Sequence, residues 1–167
     1  GRRIPQPRGK VIGGSSSING LLYVRGHAED YNHWRQLGNV GWSYDDVLPY
    51  FRKAEDQQRG PDDFHGKGGP LAVSDARDHH PISDAYLKAA EEAGYKPNPD
   101  FNGRDQDGFG YYQVTMRDGM RWSAAKGYLK PAMKRGNLKV ETGALATRIL
   151  FEGRRAVGVE YLVGDER

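Results

Sequence analysis

A double glycine followed by three serines constrains the start of this fold more than any other feature of the sequence. Residues 9–20 read GKVIGGSSSING, and we call them the Gly-Ser segment. Glycine has no Cβ, so the backbone can approach a ligand closely there. Serines at a helix start accompany exposed N–H groups that favour an anion. The pattern therefore indicates either a flexible turn before a helix or a loop that wraps around a phosphate-bearing ligand.

Two common phosphate-binding patterns do not fit this sequence. The Gly-Ser segment has neither the G-x-G-x-x-G spacing of a dinucleotide-binding turn nor the Gly-Lys-Ser/Thr ending of a P-loop. Residues 60–67 are similar to a P-loop, but five residues separate the two glycines, and Gly68 stands where Ser or Thr is needed. We therefore interpret residues 60–67 as a plain loop.

Charge and composition exclude several classes of protein. The 167 residues carry 25 Lys and Arg against 22 Asp and Glu, a net charge of +3. The two signs are interspersed, whereas nucleic-acid binding usually needs a concentrated basic face. There is no cysteine, which excludes disulfides and thiolate metal sites. The sequence has no apolar run near the roughly 20 residues of a membrane span and no stretch typical of a signal peptide. We therefore expect a cytoplasmic protein with no membrane span and no nucleic-acid partner.

Apolar periodicity predicts mainly helices first and strands at the end of the chain. Helical spacing predicts buried turns at 18–24 and helices at 29–37, 44–54 after the N-cap Ser43, 82–93, and 123–134 with Ser123 as N-cap. Alternation predicts strands at 71–74, 111–116, 138–142, 144–151 and 154–163, with loops at 57–69 and 96–110. This order predicts an α/β protein, or α+β for the isolated chain, that ends in a β-meander.

The sequence around the Gly-Ser segment resembles the glucose–methanol–choline (GMC) oxidoreductases, which oxidise alcohols with FAD. The first motif of that family is matched from Gly9 through Tyr23 and Gly26 to Asn32. Residues 22–31 (LYVRGHAEDY), Gly41-Trp42 and residues 47–51 (VLPYF) are similar to the choline dehydrogenase branch. Further matches extend the resemblance over essentially the whole chain, at His65-Gly66, Gly69-Pro70-Leu71, 108–110, 121–125 and 156–161.

The resemblance implies where FAD would be held. The cofactor-contacting positions of the family correspond to Gly13, Gly14, Ser15, Asn19, Gly20, Leu21 and Leu22, and to Ala146 for the backbone that meets the adenine. Asn and Ser also supply donors that suit phosphate or ring oxygens. Ile18 stands where some members carry a histidine bonded covalently to the flavin. Because isoleucine cannot form that bond, the resemblance implies non-covalent FAD.

The resemblance also implies that this chain is an internal fragment of a larger enzyme. The family's N-terminal βαβ unit and its C-terminal catalytic histidine have no counterpart in these residues. We therefore expect no catalytic residue here, and an inactive isolated chain. The parent would oxidise a small primary alcohol, choline being one candidate. Residues 1–60 and 121–167 would belong to its FAD-binding domain, and residues 61–120 to its substrate domain.

Other residue patterns favour structural interpretations. His79 and His80 beside Asp78 suit either a metal site or a solvated loop, and the loop is favoured because adjacent histidines point different ways. We therefore expect no metal site. Trp34 and Trp42 could stack on a ligand but are more often packing residues. A non-catalytic binding or assembly module stays open as the alternative function.

We predict that this chain associates with itself when it is isolated. Apolar surface that would pack on the rest of a larger protein is left exposed, and such patches favour association. Light scattering at moderate protein concentration should therefore give a mass above that of one chain. A monomeric peak would contradict this prediction.

Overall fold

The fold is taken from a computed structural model that describes residues 1–164. Contacts between Cα atoms divide the chain into two units, Gly1–Pro131 and a second that begins at Ala132, and each is described by itself. The last three residues of the predicted 121–167 portion lie outside the described residues. The predicted division at residues 60 and 120 concerns domains of a larger protein and stays a prediction.

The first unit contains three helices and two small sheets. A 3-10 turn, Gly14–Ser17, precedes helices α1 (Ala28–Gln36) and α2 (Tyr44–Ala54), which are followed by strands β1 (Glu55–Gln57) and β2 (Leu71–Val73). Helix α3 (Pro81–Glu92), strands β3 (Met116–Arg117) and β4 (Met120–Arg121) and a π-helical turn (Ala125–Leu129) complete it, and a short helix α4 (Lys130–Ala132) leads out of it. The mixture of helices and strands confirms the predicted fold class.

Capping side chains explain where α1 and α2 begin. The Ser43 hydroxyl accepts the Asp46 amide at 3.3 Å, and the Asp46 carboxylate accepts the Ser43 amide at 3.1 Å. At α1 the Asp30 carboxylate accepts the His27 amide at 2.8 Å, while His27 Nδ1 accepts the Glu29 amide at 3.2 Å. Such a capping box satisfies two amides that the helix itself cannot pair. The predicted N-cap Ser43 is therefore confirmed.

The two adjacent histidines have separate structural roles. His80 caps α3, because its Nδ1 accepts the Ile82 amide at 3.2 Å. The His79 ring instead stacks on Tyr111, with 3.7 Å between the ring centroids. Pro81 then occupies the first turn of α3, where its missing N–H costs nothing. The two rings therefore have different partners, as adjacent positions require.

Short pairings join distant parts of the first unit. Strands β1 and β2 run parallel with Glu55 opposite Leu71, and β3 and β4 form an antiparallel hairpin with Met116 opposite Arg121. Val114 bridges Leu22 on one side and Ser74 on the other. The predicted strand at 111–116 is thus reduced to the Val114 bridges and β3, and the predicted loop at 57–69 begins one residue later, after β1.

Three local predictions are wrong. The buried helical turns expected at 18–24 are absent, since Ile18 and Leu22 are 63% and 59% exposed and the left-handed φ of 69° at Leu21 interrupts any helix. The strand expected at 138–142 is not formed, because those residues have no strand partner among the described residues. The helix expected from Ser123 to residue 134 ends at Ala132, and no side chain caps its π-helical start.

A buried ion group lies at the centre of the first unit. We define it as Arg25, Glu55, His65 and Asp100. The Glu55 side chain is 0% exposed; it accepts the Arg25 guanidinium at 3.0 Å, the His65 Nδ1–H at 3.1 Å and the Gly66 amide at 2.9 Å. The other ring nitrogen of His65 lies 2.9 Å from the Asp100 carboxylate. Charges removed from water in this way are stable only when each is paired.

The second unit contains a long antiparallel hairpin. Strands β5 (Ala144–Glu152) and β6 (Arg155–Val163) pair with Ala144 opposite Val163. The predicted strands at 144–151 and 154–163 are therefore confirmed. Their apolar side chains remain largely exposed, as at Leu145 (63%) and Phe151 (61%).

The ion group predicts a pH dependence of stability. Burial alone would lower the pKa of His65, but its hydrogen bonds to Asp100 and Glu55 outweigh burial and raise that pKa to about 9. Because this pKa exceeds the unfolded value of about 6.5, the contribution is complete below pH 6.5 and is lost as the pH rises through 9. The free energy of unfolding of the full-length gene product should therefore fall by a few kcal/mol over that range.

The measurement is chemical denaturation between pH 6 and pH 9.5 of the native protein and of His65→Gln, which cannot titrate. His33→Gln, at an exposed position on α1, is the matched control. The fall should be reduced in His65→Gln and kept in His33→Gln. Equal slopes for native protein and His65→Gln would show that His65 is not the titrating group.

Candidate functional site

The serine side chains of the Gly-Ser segment make hydrogen bonds that stabilise the conformation of the segment. The Ser16 hydroxyl donates to the Gly13 carbonyl at 2.5 Å and accepts the Ala124 amide at 2.9 Å. The Ser17 hydroxyl donates to the Ile12 carbonyl at 2.9 Å. Ser15 differs from these two, because its oxygen accepts the Gly9 amide at 3.1 Å and its hydroxyl hydrogen stays available to a ligand. Of the three serines, Ser15 therefore suits the predicted contact best.

Gly13 is required by the fold itself. Its φ is +92°, and an added Cβ would lie 2.3 Å from the Ser17 hydroxyl oxygen and 3.2 Å from the Ala125 Cβ. Moving Ser17 would break its bond to the Ile12 carbonyl. Gly13 thus acts through packing, whether or not a ligand lies nearby.

Gly20 has no such structural requirement. An added Cβ at Gly20 would meet nothing within 4 Å, and its φ is not positive. Gly14 shares the open surroundings, but its φ of +57° already favours glycine. The fold of the described residues therefore does not explain glycine at position 20, whereas close approach of a ligand would.

The β3–β4 hairpin and its flanks hold the 19–21 tripeptide at both ends. The Leu21 carbonyl accepts the amide and the hydroxyl of Thr115, at 2.9 Å and 3.2 Å. The Asn19 side-chain oxygen accepts from Arg121 Nη1 at 2.7 Å and from the Leu21 amide at 3.1 Å. These bonds keep Leu21 at a φ of 69°, which costs a residue with a side chain about 1–2 kcal/mol.

Backbone donors remain on this tripeptide and next to it. Among the hydrogen bonds of the described residues, neither the Gly20 amide nor the Leu22 amide has a protein acceptor. The neighbouring amides are satisfied, since Leu21 donates to Asn19 and Tyr23 donates to the Gln113 carbonyl at 2.9 Å. Two exposed N–H groups separated by one residue can donate to the oxygens of an anionic or carbonyl-bearing ligand.

Asn102 connects the ion group to the backbone at residues 23 and 25, just after the tripeptide. Its side-chain oxygen accepts the Arg25 amide at 2.8 Å, and its side-chain NH₂ donates to the Tyr23 carbonyl at 2.9 Å. The Asn102 amide in turn donates to the Asp100 carboxylate at 3.0 Å. The pairing of His65 with Glu55 and Asp100 could not be predicted from the sequence, because these two partners share no local pattern with it.

Ala146 lies on β5 opposite Tyr161, in the second unit. The other seven predicted contact residues, from Gly13 to Leu22, lie on one continuous stretch of the first unit. Those seven are neighbours because they lie within ten residues of each other in the sequence, and the predicted cofactor contacts of all eight residues stay predictions.

The largest cavity described lies elsewhere in the first unit. It has a volume of about 650 Å³ between α3 and residues 95–112, and its walls include Asp75, His79, Tyr95, Phe109 and Tyr111. No residue of the Gly-Ser segment lines it. Within residues 1–164, no helix is long and apolar enough to cross a membrane, and no group of three or more His, Asp or Glu is placed to hold a metal ion.

A family model described as GMC oxidoreductase matches residues 1–167. Human mitochondrial choline dehydrogenase is 52% identical over 97% of this chain, which spans 27% of that protein.

Two solved structures share the fold. A pyridoxine 4-oxidase from Mesorbium loti superposes with a TM-score of 0.86 at 33% identity over 95% of this chain and 32% of its own. An FAD-dependent oxidoreductase from Chaetomium thermophilum superposes with a TM-score of 0.84 at 29% identity, over 93% of this chain and 29% of its own. The chain thus spans about a third or less of each of these three proteins.

Replacement by alanine is predicted to change the free energy of unfolding differently at Gly13 and at Gly20. Gly13→Ala should lower the free energy of unfolding of the full-length gene product by about 1–2 kcal/mol, because alanine is strained at a positive φ. Gly20→Ala should leave it unchanged or raise it by up to about 1 kcal/mol, because alanine restricts the unfolded chain. Chemical denaturation without added ligand measures both. A large loss of stability in Gly20→Ala would mean that the fold itself requires Gly20.

Proposed function

This chain belongs to the GMC oxidoreductase family, and on that premise we propose that it is the flavin-contacting part of an FAD-dependent alcohol oxidoreductase. The family match over residues 1–167 and the likeness to choline dehydrogenase support this proposal. The reaction would convert a small primary alcohol to an aldehyde, with choline as the first candidate substrate. When bound, FAD supplies the acceptor for the hydride.

The open position at Gly20 is the observation that carries the proposal. Glycine there lies between two residues fixed by side chains from Thr115 and Arg121, yet an added Cβ would meet no atom of the described residues within 4 Å, apart from its own residue and the two chain neighbours. A flat flavin ring or its pyrophosphate would use that space. The donors available to it are the backbone amides of Gly20 and Leu22, the Ser15 hydroxyl and the side-chain NH₂ group of Asn19.

In this proposal FAD is held without a covalent bond. Ile18 is 63% exposed and has no nucleophilic atom. The role of these residues is to bind and orient the cofactor. The group that accepts the alcohol proton is expected outside this chain. We also propose that residues 1–60 and 121–167 belong to an FAD-binding domain and residues 61–120 to a substrate domain.

The alternative is a non-catalytic binding or assembly module. It is favoured by the exposed apolar side chains of the α1–α2 region, including Leu37 (68%), Val40 (78%) and Trp42 (51%). Self-association of the isolated chain would fit either function. A cytoplasmic location stays a prediction, with the mitochondrial location named for the human relative as its alternative. Fractionation of cells that produce the full-length gene product separates the two locations.

The proposed function predicts a yellow protein whose colour depends on Gly20. The purified full-length gene product should show the visible absorbance bands of a flavin. Acid denaturation should then release FAD into the filtrate, because no covalent bond holds it. Gly20→Ala should weaken FAD binding about tenfold or more, since one lost close contact worth about 1.4 kcal/mol has that effect.

Two results would contradict the proposed function. A colourless protein that takes up no FAD from solution would favour the non-catalytic module. FAD bound by the native protein and by Gly20→Ala with equal affinity would remove Gly20 from the site. Gly136→Ala is the matched control, because an added Cβ there also meets nothing within 4 Å.

A further inference from the structure

We propose that Arg121 is a positioning residue that orients the side-chain amide of Asn19, so that its NH₂ group and not its oxygen faces the flavin. This inference rests on the proposed function, because it concerns the same cofactor. It assigns to Arg121 a role that does not require contact with the flavin.

The oxygen of the Asn19 amide is fully used within the protein. It accepts from Arg121 Nη1 at 2.7 Å and from the Leu21 amide at 3.1 Å. An amide oxygen has two lone pairs, so these two donors occupy both. Among the described residues, the Asn19 NH₂ group donates to no acceptor. The group that remains for a ligand is therefore a donor.

Arg121 makes the opposite orientation of Asn19 unfavourable. Rotating the amide by half a turn would place its NH₂ group against the guanidinium and against the Leu21 amide, donor facing donor at both contacts. It would also lose a hydrogen bond to a charged group, which is stronger than one between neutral groups. The network thus fixes which end of Asn19 is presented, as amide orientation generally follows from the bonds around it.

The hairpin fixes Arg121 in turn. It ends β4 opposite Met116, and the turn between the strands contains Asp118 and Gly119, both with positive φ. Its Nη1 also donates to the Ser16 carbonyl at 3.2 Å. Both hydrogen bonds of the guanidinium therefore go to the Gly-Ser segment, where they tie Asn19 to the 3-10 turn.

The acceptor that this donor suits is an oxygen atom of FAD, either on the flavin ring or on the pyrophosphate. A hydrogen bond to the ring changes its visible spectrum and its reduction potential. A hydrogen bond to the pyrophosphate changes affinity and leaves both of those properties as they were. The two sources of acceptor can therefore be separated by measurement.

Asn19→Asp is the variant that removes the donor. A carboxylate keeps both acceptor contacts, to Arg121 and to the Leu21 amide, while it replaces the NH₂ group by a second oxygen and adds one negative charge. We expect FAD affinity of the full-length gene product to fall about tenfold or more, while the melting temperature without FAD stays equal or rises. Asn137→Asp, at another exposed asparagine, adds the same charge and is the matched control, with unchanged FAD affinity.

A double-mutant cycle tests whether Arg121 acts through Asn19. Arg121→Met should weaken FAD binding several-fold in the native background, and Arg121→Lys should restore part of the loss. In an Asn19→Ala background, Arg121→Met should change the affinity little further, because the group that it orients is gone. Affinities come from FAD titration of the apoprotein, with the spectrum and reduction potential recorded for each complex.

The outcomes separate this inference from the proposed function. If the native protein binds no FAD, the proposed function fails. If it binds FAD and Asn19→Asp binds equally well with an unchanged spectrum and potential, the inference alone is overturned. Arg121→Met lowering affinity equally in both backgrounds would also overturn it, because Arg121 would then act independently of Asn19.

Discussion

The buried carboxylate of Glu55 is the interaction on which the first unit depends. Its two oxygens receive three donors from two separate places in the chain: the Arg25 side chain, and the His65 ring with the adjacent Gly66 amide. Gln57 donates to the same carboxylate at 3.3 Å. Loss of this one acceptor would leave the buried Arg25 without a carboxylate partner and His65 with Asp100 alone, which costs far more than a surface pair is worth. The early helices, β1 and the loop around residue 100 are therefore held in place together.

The geometry of the 19–21 tripeptide follows from contacts distant in sequence and not from its own propensity. Asn102 transmits the position of the ion group to the backbone at residues 23 and 25. The backbone at residues 21 and 23 is fixed in addition, because the Thr115 amide donates to the Leu21 carbonyl and the Tyr23 amide donates to the Gln113 carbonyl. A short 3-10 turn alone could not hold Leu21 at a left-handed φ. The tripeptide and the residues just after it are thus held by partners some 80 to 100 residues away in the sequence.

Local patterns were predicted well from the sequence, and long-range ones were not. The N-cap Ser43, helix α3 and the β5–β6 hairpin follow from signals within a few residues, such as a capping box or strict alternation. The strand expected at 138–142 failed because alternation says nothing about whether a partner strand exists. The seven contact positions came from family resemblance, yet the sequence could not separate Gly13, needed for packing, from Gly20, open to a ligand. That difference depends on Ser17 and Ala125, and only coordinates place those two neighbours beside Gly13.

Burial of the Arg25–Glu55 pair also determines how the protein responds to ionic strength. Both side chains are 3% exposed or less, so dissolved ions cannot approach between them, and screening acts mainly on charges in contact with solvent. The exposed Lys88–Glu92 pair on α3 is open to such screening and weakens as salt is added. The attraction between Arg25 and Glu55 therefore changes little with ionic strength, whereas the attraction between surface charges weakens.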